Sequence, residues 1–166
     1  MGAGGGRVIW GALAGGVAGT LVLTTALRAA SELRLTRMDL PFLLGTAVTV
    51  NRVRAKAVGY ALHFVFGLVF SLGYWAVFLA IDESGWWLGA AFGLAHGLFA
   101  STALVNVLLP LAHPHMATPL SSAASTPLLE PPGFLMLNYG RSTPLVTLAG
   151  HAAYGALVGG FASLAD

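Results

Sequence analysis

Three histidines, His63, His96 and His151, stand inside long apolar runs of a chain that has no cysteine. An imidazole in such a place has three uses. Its lone pair can ligate a transition metal or a haem iron. It can pass protons or line a path for a small solute. It can also simply bond a Thr, a Tyr or a carbonyl on a neighbouring helix, a contact worth about 0.6 kcal/mol on average in one measured membrane protein. Ionisable groups in hydrocarbon are rare and face the bundle interior or a cavity. All three rings are therefore expected to point inward, as a candidate ligand or proton site. Ser71, Ser101, Thr102, Asn106 and Tyr154 would extend a polar path from them. No carboxylate lies in any of the apolar runs to orient a ring or balance a metal charge. Haem or a transition metal thus stays an open cofactor assignment, and a metal of definite kind cannot be named.

A second cluster, His113-Pro114-His115-Met116, falls just after one apolar run. Two imidazoles and a thioether suit a soft metal, but two ligands in a proline-broken loop fall short of a closed site. Asp39 and Glu130 lie between runs. Asp39 precedes Leu40-Pro41 and is placed to cap a short helix, and both carboxylates have Arg37, Arg52 or Arg141 as pairing partners. There is no nucleophile motif, phosphate loop or HExxH signature. Enzymatic activity is left open, with a non-enzymatic role favoured, and nucleic-acid binding is not expected, since no basic run with interleaved aromatics is present.

The elements that must position these residues follow from composition. The chain has 166 residues, 57% hydrophobic and 8% charged. A soluble domain carries about a quarter charged residues, and so few charges cannot cover a water-facing surface. Crossing about 30 Å of hydrocarbon takes about 20 apolar residues. Four stretches qualify: 8–27, 57–81, 86–111 and 144–164. None alternates in polarity, so helices and not barrel strands are expected. The fold class expected is an all-α membrane protein, a small bundle of four transmembrane helices in one domain, built as two similar hairpins. Arg7 before the first run and Ala29-Ala30-Ser31 after it have the look of a signal peptide. Twenty uncharged residues is long for one, and Arg28 is badly placed for cleavage, so the span is expected to be retained.

Six of the eight basic residues, Arg28, Arg34, Arg37, Arg52, Arg54 and Lys56, lie between the first two runs. The positive-inside rule puts the loop 28–56 in the cytoplasm, the loop 112–143 on the same side, and both termini outside. Trp10, Trp86, Trp87 and Tyr139 lie near the expected interfaces. Leu40–Val50 and Gly133–Leu137 are apolar but too short to span, and should lie in or dip into the interface. At about 1.5 Å rise per residue, His63 and His151 sit about 9 and 10 Å from the cytoplasmic ends of their spans and His96 about 20 Å.

An internal repeat is suggested by two patterns. Gly11-Ala12-Leu13-Ala14-Gly15 aligns with Gly89-Ala90-Ala91-Phe92-Gly93, with Gly19 meeting Gly97 in register. His63-Phe64-Val65-Phe66-Gly67 aligns with His151-Ala152-Ala153-Tyr154-Gly155. Small residues at four-residue spacing let helix backbones approach closely. Gly11, Gly15 and Gly19, then Gly89, Gly93 and Gly97, then Gly155 and Gly159 are therefore packing ridges, and any ridge facing outward would be a homodimer face. Met38-Asp39-Leu40-Pro41-Phe42-Leu43-Leu44-Gly45, Gly93-Leu94-Ala95-His96-Gly97 and the His151–Gly155 segment give the chain a resemblance to small multi-span membrane proteins of bacteria. That resemblance implies the class and a bacterial inner membrane, and no activity. The expected role is a non-enzymatic accessory subunit or small oligomer in a lipid bilayer, within a larger membrane complex or with copies of itself. The rival expectation is a histidine site that holds a cofactor or conducts protons or a solute.

Overall fold

The computed structural model describes residues 3–117 and 129–165. Among them the chain forms α1 (Ala3–Glu32), α2 (Leu40–Gly45), α3 (Arg52–Ile81), α4 (Trp86–Phe99), a π-helix (Ala100–Leu108), α5 (Leu109–Ala112), a 3-10 turn (Phe134–Tyr139) and α6 (Thr143–Leu164). Four continuous helical segments are long and apolar enough to cross a membrane: Gly6–Glu32, Arg52–Ile81, Trp86–Ala112 and Thr143–Leu164. The chain is thus an all-helical protein of multi-pass membrane character. Helix α3 starts at Arg52, ahead of the apolar run, because the Asn51 side chain accepts from the Arg54 amide at 3.1 Å and caps the first turn. Arg and Lys are good helix formers, so the basic residues after such a cap extend the helix beyond its apolar part.

The short apolar piece after α1 becomes α2. Asp39 caps it, its Oδ1 accepting from the Phe42 amide at 3.1 Å, with Pro41 in the first turn where its missing N–H costs little. It lies directly on the base of α3. A Cβ on Gly59 would strike the Pro41 carbonyl, and one on Gly45 would strike the Ala55 carbonyl. Lys56 Nζ then reaches Asp39 Oδ2 at 2.9 Å. This partly exposed pair is worth about 0–1 kcal/mol, so close backbone packing and not the ion pair holds α2 in place.

Helix α6 is the hub of the bundle. Gly11, Gly15 and Gly19 of α1 face the backbone of Phe161, Leu157–Val158 and Tyr154. Gly89 and Gly93 of α4 face Gly155 and His151 on the other side of α6. Both glycine ridges therefore meet the same helix, the α1 ridge passing over α3, the next span in sequence, and none of the three ridges points outward. Helix α3 is held against α1, where Gly67 abuts Thr20 and Gly16 abuts Ser71. Between α3 and α4 aromatic rings take the place of a close backbone approach. Phe78 stacks on Phe92 at 5.8 Å, and Tyr74 meets Phe92 edge-on at 6.0 Å. Asp82 in the left-handed region (φ 55°) closes the turn between them.

The loops 28–56 and 112–143 meet at one end. Arg37 pairs with Glu130 at 3.3 Å and donates to the Asn138 carbonyl, while its amide donates to the Tyr139 carbonyl at 2.6 Å. Burial, together with Glu130, pushes the Tyr139 phenol up to about 12, and its hydroxyl donates to the Glu130 carbonyl. Tyr139 thus works inside this loop cluster, whereas Trp10, Trp86 and Trp87 are exposed as belt residues are.

Candidate functional site: a histidine-bearing cavity between α3 and α4

Because rings and not backbones separate α3 from α4, space is left below the aromatic layer. A cavity of about 430 Å³ fills it, lined by 23 residues that include His63, His96 and His151 together with Thr20, Thr147 and Tyr154. The rest of its wall is mainly Leu, Val, Phe and Met side chains, with no Asp, Glu, Lys or Arg. Phe66, Val69 and Leu108 belong both to this wall and to the exposed outer surface, at 44%, 58% and 48% exposure. The cavity therefore opens sideways, on the outer face of the bundle between α3 and the π-helix.

Two of the three rings are brought together more closely than span depth predicts. His96 and His151 meet edge-to-face with centroids 4.8 Å apart, where ends counted from the sequence put them about 10 Å apart in height. Such counting assumes that the spans end at one level. They do not: Gly93 and Gly97 sit opposite His151, so the remainder of the third span overhangs the start of α6. The Phe70 ring covers His96 at 3.8 Å between centroids.

One nitrogen of each ring is bonded within the protein. His63 Nδ1 is 2.9 Å from Thr24 Oγ1 on α1, His151 Nδ1 is 2.8 Å from the Thr147 carbonyl, and His96 Nδ1 is 3.4 Å from the Tyr74 hydroxyl. Among the described residues no group of three or more His, Asp or Glu side chains is arranged to share one metal ion.

Two irregular segments shape the cavity. Along Ala100–Leu108 the helix opens to π geometry, and Ala100, Leu104, Val105 and Leu108 face the cavity. The local sequence explains the change of register. Ser101 and Thr102 hydroxyls donate back to the Gly97 and Leu98 carbonyls at 2.7 and 2.6 Å. The Asn106 amide donates to the Ser101 and Thr102 carbonyls at 3.2 and 2.8 Å. Pro110 has no N–H to return to this turn. Ser101, Thr102 and Asn106 therefore serve their own helix, whereas Tyr154 lies on the cavity wall. π-Segments are uncommon and concentrate at functional sites. The second segment is the 3-10 turn, in which Leu135 and Met136 both adopt left-handed φ (52° and 59°). Each such residue costs about 1–2 kcal/mol, and the result is Met136 on the cavity wall, 4% exposed.

A smaller polar cavity of about 230 Å³ adjoins the loop end, lined by residues including Arg28, Glu32, Asp39, Lys56 and Tyr60. His63, Leu27, Met38 and Leu40 line both cavities.

The His113–Met116 cluster forms a clamp on the end of α2. His113 Nδ1 accepts from the His115 amide at 3.2 Å, so its proton lies on Nε2, 3.0 Å from the Leu43 carbonyl and 3.2 Å from Thr46 Oγ1. His115 Nδ1 is 3.1 Å from the Thr46 carbonyl, and Met116 is buried. Burial pulls the His113 imidazole below its ordinary value of 6.5, partly offset by its bond to the Leu43 carbonyl and reinforced by nearby His115. With the folded value lowered, the clamp contributes fully above about pH 6.5 and is lost as pH falls through the lowered value. Acidification from about pH 7.5 to about pH 5 should therefore lower the melting temperature in detergent. His113→Gln, which keeps a donor and an acceptor but does not titrate, should flatten that slope. Equal slopes for the two proteins would refute the clamp.

Comparison with known proteins finds no family model, curated protein or solved structure that matches this chain.

Proposed function

We propose that this protein is a membrane-embedded binding protein for a lipid-soluble amphiphile, which reaches the histidine cavity sideways from the bilayer between α3 and the π-helix. The supporting observation is the form of the cavity. It is apolar for most of its wall, opens past Phe66, Val69 and Leu108, and carries its polar groups, His63, His151, Thr20, Thr147 and Tyr154, on buried side chains. Ligand sites are mostly apolar with a few placed polar groups. A charged solute would find no counter-charge on this wall, and desolvating it would be costly. The absence of a carboxylate on the wall likewise disfavours a metal ion. The reading keeps the non-enzymatic, accessory character expected from sequence, with an organic ligand in place of haem or metal. The loop end, with six of the eight basic residues between the first two spans, is assigned to the cytoplasm of a bacterial inner membrane and both termini to the outside.

The test is mass spectrometry of solvent extracts from protein purified in mild detergent. One amphiphile enriched to near one per chain, over its share of the host membrane lipid, is the expected result. Extracts that merely mirror bulk lipid, with no saturable uptake of added amphiphiles, would rule the reading out.

A further inference from the structure

The hydrogen-bond network around the cavity fixes where its protons lie. Thr24 Oγ1 is 2.6 Å from the Thr20 carbonyl, an oxygen–oxygen approach that requires the threonine proton between them. Thr24 therefore has only lone pairs left for His63, and His63 Nδ1 must carry the proton that joins them at 2.9 Å. His151 Nδ1 faces a carbonyl at 2.8 Å and must likewise carry a proton. In a neutral imidazole the other nitrogen is then a bare acceptor, so Nε2 of His63 and of His151 can only accept.

The hydroxyls on the wall are in the same condition. Thr20 donates to the Gly16 carbonyl at 2.7 Å, Tyr154 to the Gly67 carbonyl at 2.5 Å, and Thr147 to Met136 Sδ at 3.7 Å. Of the polar side chains reaching the cavity, His96 alone can adopt either tautomer, since its partner is a hydroxyl.

We infer that the cavity selects a ligand whose polar end is a neutral hydrogen-bond donor: a phenol, quinol or long-chain alcohol on an apolar body, in preference to the ether or carbonyl compound of the same shape. A donor hydroxyl finds acceptors at Nε2 of His63 and His151. A carbonyl or ether oxygen meets lone pairs at both of those atoms, and has only His96, in its Nε2-protonated tautomer, to donate to it. An ammonium would also donate, but no carboxylate on the wall balances its charge. This inference rests on the amphiphile-binding reading and goes further by naming the head group.

The experiment titrates 4-decylphenol and its methyl ether, 4-decylanisole, into the full chain held in phosphatidylcholine nanodiscs, with empty nanodiscs subtracted. One hydrogen bond separates the pair, and about a tenfold tighter binding of the phenol is expected. Equal or tighter binding of the ether would overturn the donor requirement and leave amphiphile binding in place. Saturable binding of neither would overturn both. Nitrogen-15 spectra of histidine-labelled protein give a reading that needs no ligand, with His63 and His151 assigned by loss of signal in His63→Asn and His151→Asn. Both rings should appear protonated at Nδ1 and bare at Nε2, and a proton on Nε2 of either ring would refute the assignment.

Discussion

Gly155→Leu is expected to abolish the folded bundle, and Gly155→Ala to weaken it measurably. A Cβ at this position on α6 would strike the Gly89 carbonyl and lie 2.9 Å from the Gly93 Cα. Both obstacles are backbone, so no side chain can swing aside and the helices must separate. Overpacking typically costs about 1–3 kcal/mol where side chains can adjust, and alanine should fall in that range here. Leucine should exceed it, because α4 and α6 have little else to hold them. Lipid solvates separated apolar helices as well as they solvate each other, so the interface depends on close backbone contact. Gly73→Ala is the matched control. Nothing lies within 4 Å of a Cβ there, and replacing glycine in a helix interior should raise stability by about 0.5–1 kcal/mol. The measurement is the monodisperse fraction by fluorescence-detected size exclusion after a temperature series. If Gly155→Leu melted like the parent protein, the α4–α6 contact, and with it the placing of His151 beside His96, would be wrong.

That glycines would mark the contacts was legible in the sequence; which helices they join was not. Four-residue spacing says that a backbone can approach another, and it carries no address. Gly11, Gly15 and Gly19 could as well have met α3, their neighbour in sequence, as α6, which they do meet. The same limit applies to the repeat, since two helices with like ridges can lie against one partner without a two-fold relation between the halves. Helix α2 was more readable. Asp39-Leu40-Pro41 carries its own start signal in a capping carboxylate and an early proline, and eleven apolar residues cannot cross a bilayer. The π-helix left only a trace, in Ser101, Thr102 and Asn106, whose side chains compete for backbone groups, and in Pro110, which lacks a backbone N–H, all within ten residues of an apolar run. Nothing announced Leu135 and Met136. Left-handed geometry at residues other than glycine is imposed by the surroundings, here by the clasp of Arg37 on Asn138 and Tyr139 and by the donation of the Thr147 hydroxyl to the Met136 sulfur.

Leu104→Trp should remove the bound amphiphile and leave the fold intact, the combination that separates a binding site from a packing defect. Leu104 stands on the π-helix wall and is neither buried in a helix contact nor part of a glycine ridge. An indole there projects into about 430 Å³ of open space and takes the volume that a ligand's apolar body would need. Filling a cavity commonly adds about 0.5–2 kcal/mol of stability, so the melting temperature should hold or rise. The amphiphile retained per chain should fall at least about tenfold, the equivalent of about 1.4 kcal/mol of lost affinity. Leu108→Trp puts the same bulk at the mouth, on a residue 48% exposed. It hinders passage without occupying the interior, so uptake and release should slow together while the equilibrium constant stays near that of the parent protein. Occupancy unchanged in Leu104→Trp, with the introduced indole shown by quenching to be shielded from solvent and lipid, would mean that whatever the protein carries is held on its outer surface. A loss of occupancy equal in both variants, with no change in rates for Leu108→Trp, would place the access route somewhere other than between α3 and the π-helix.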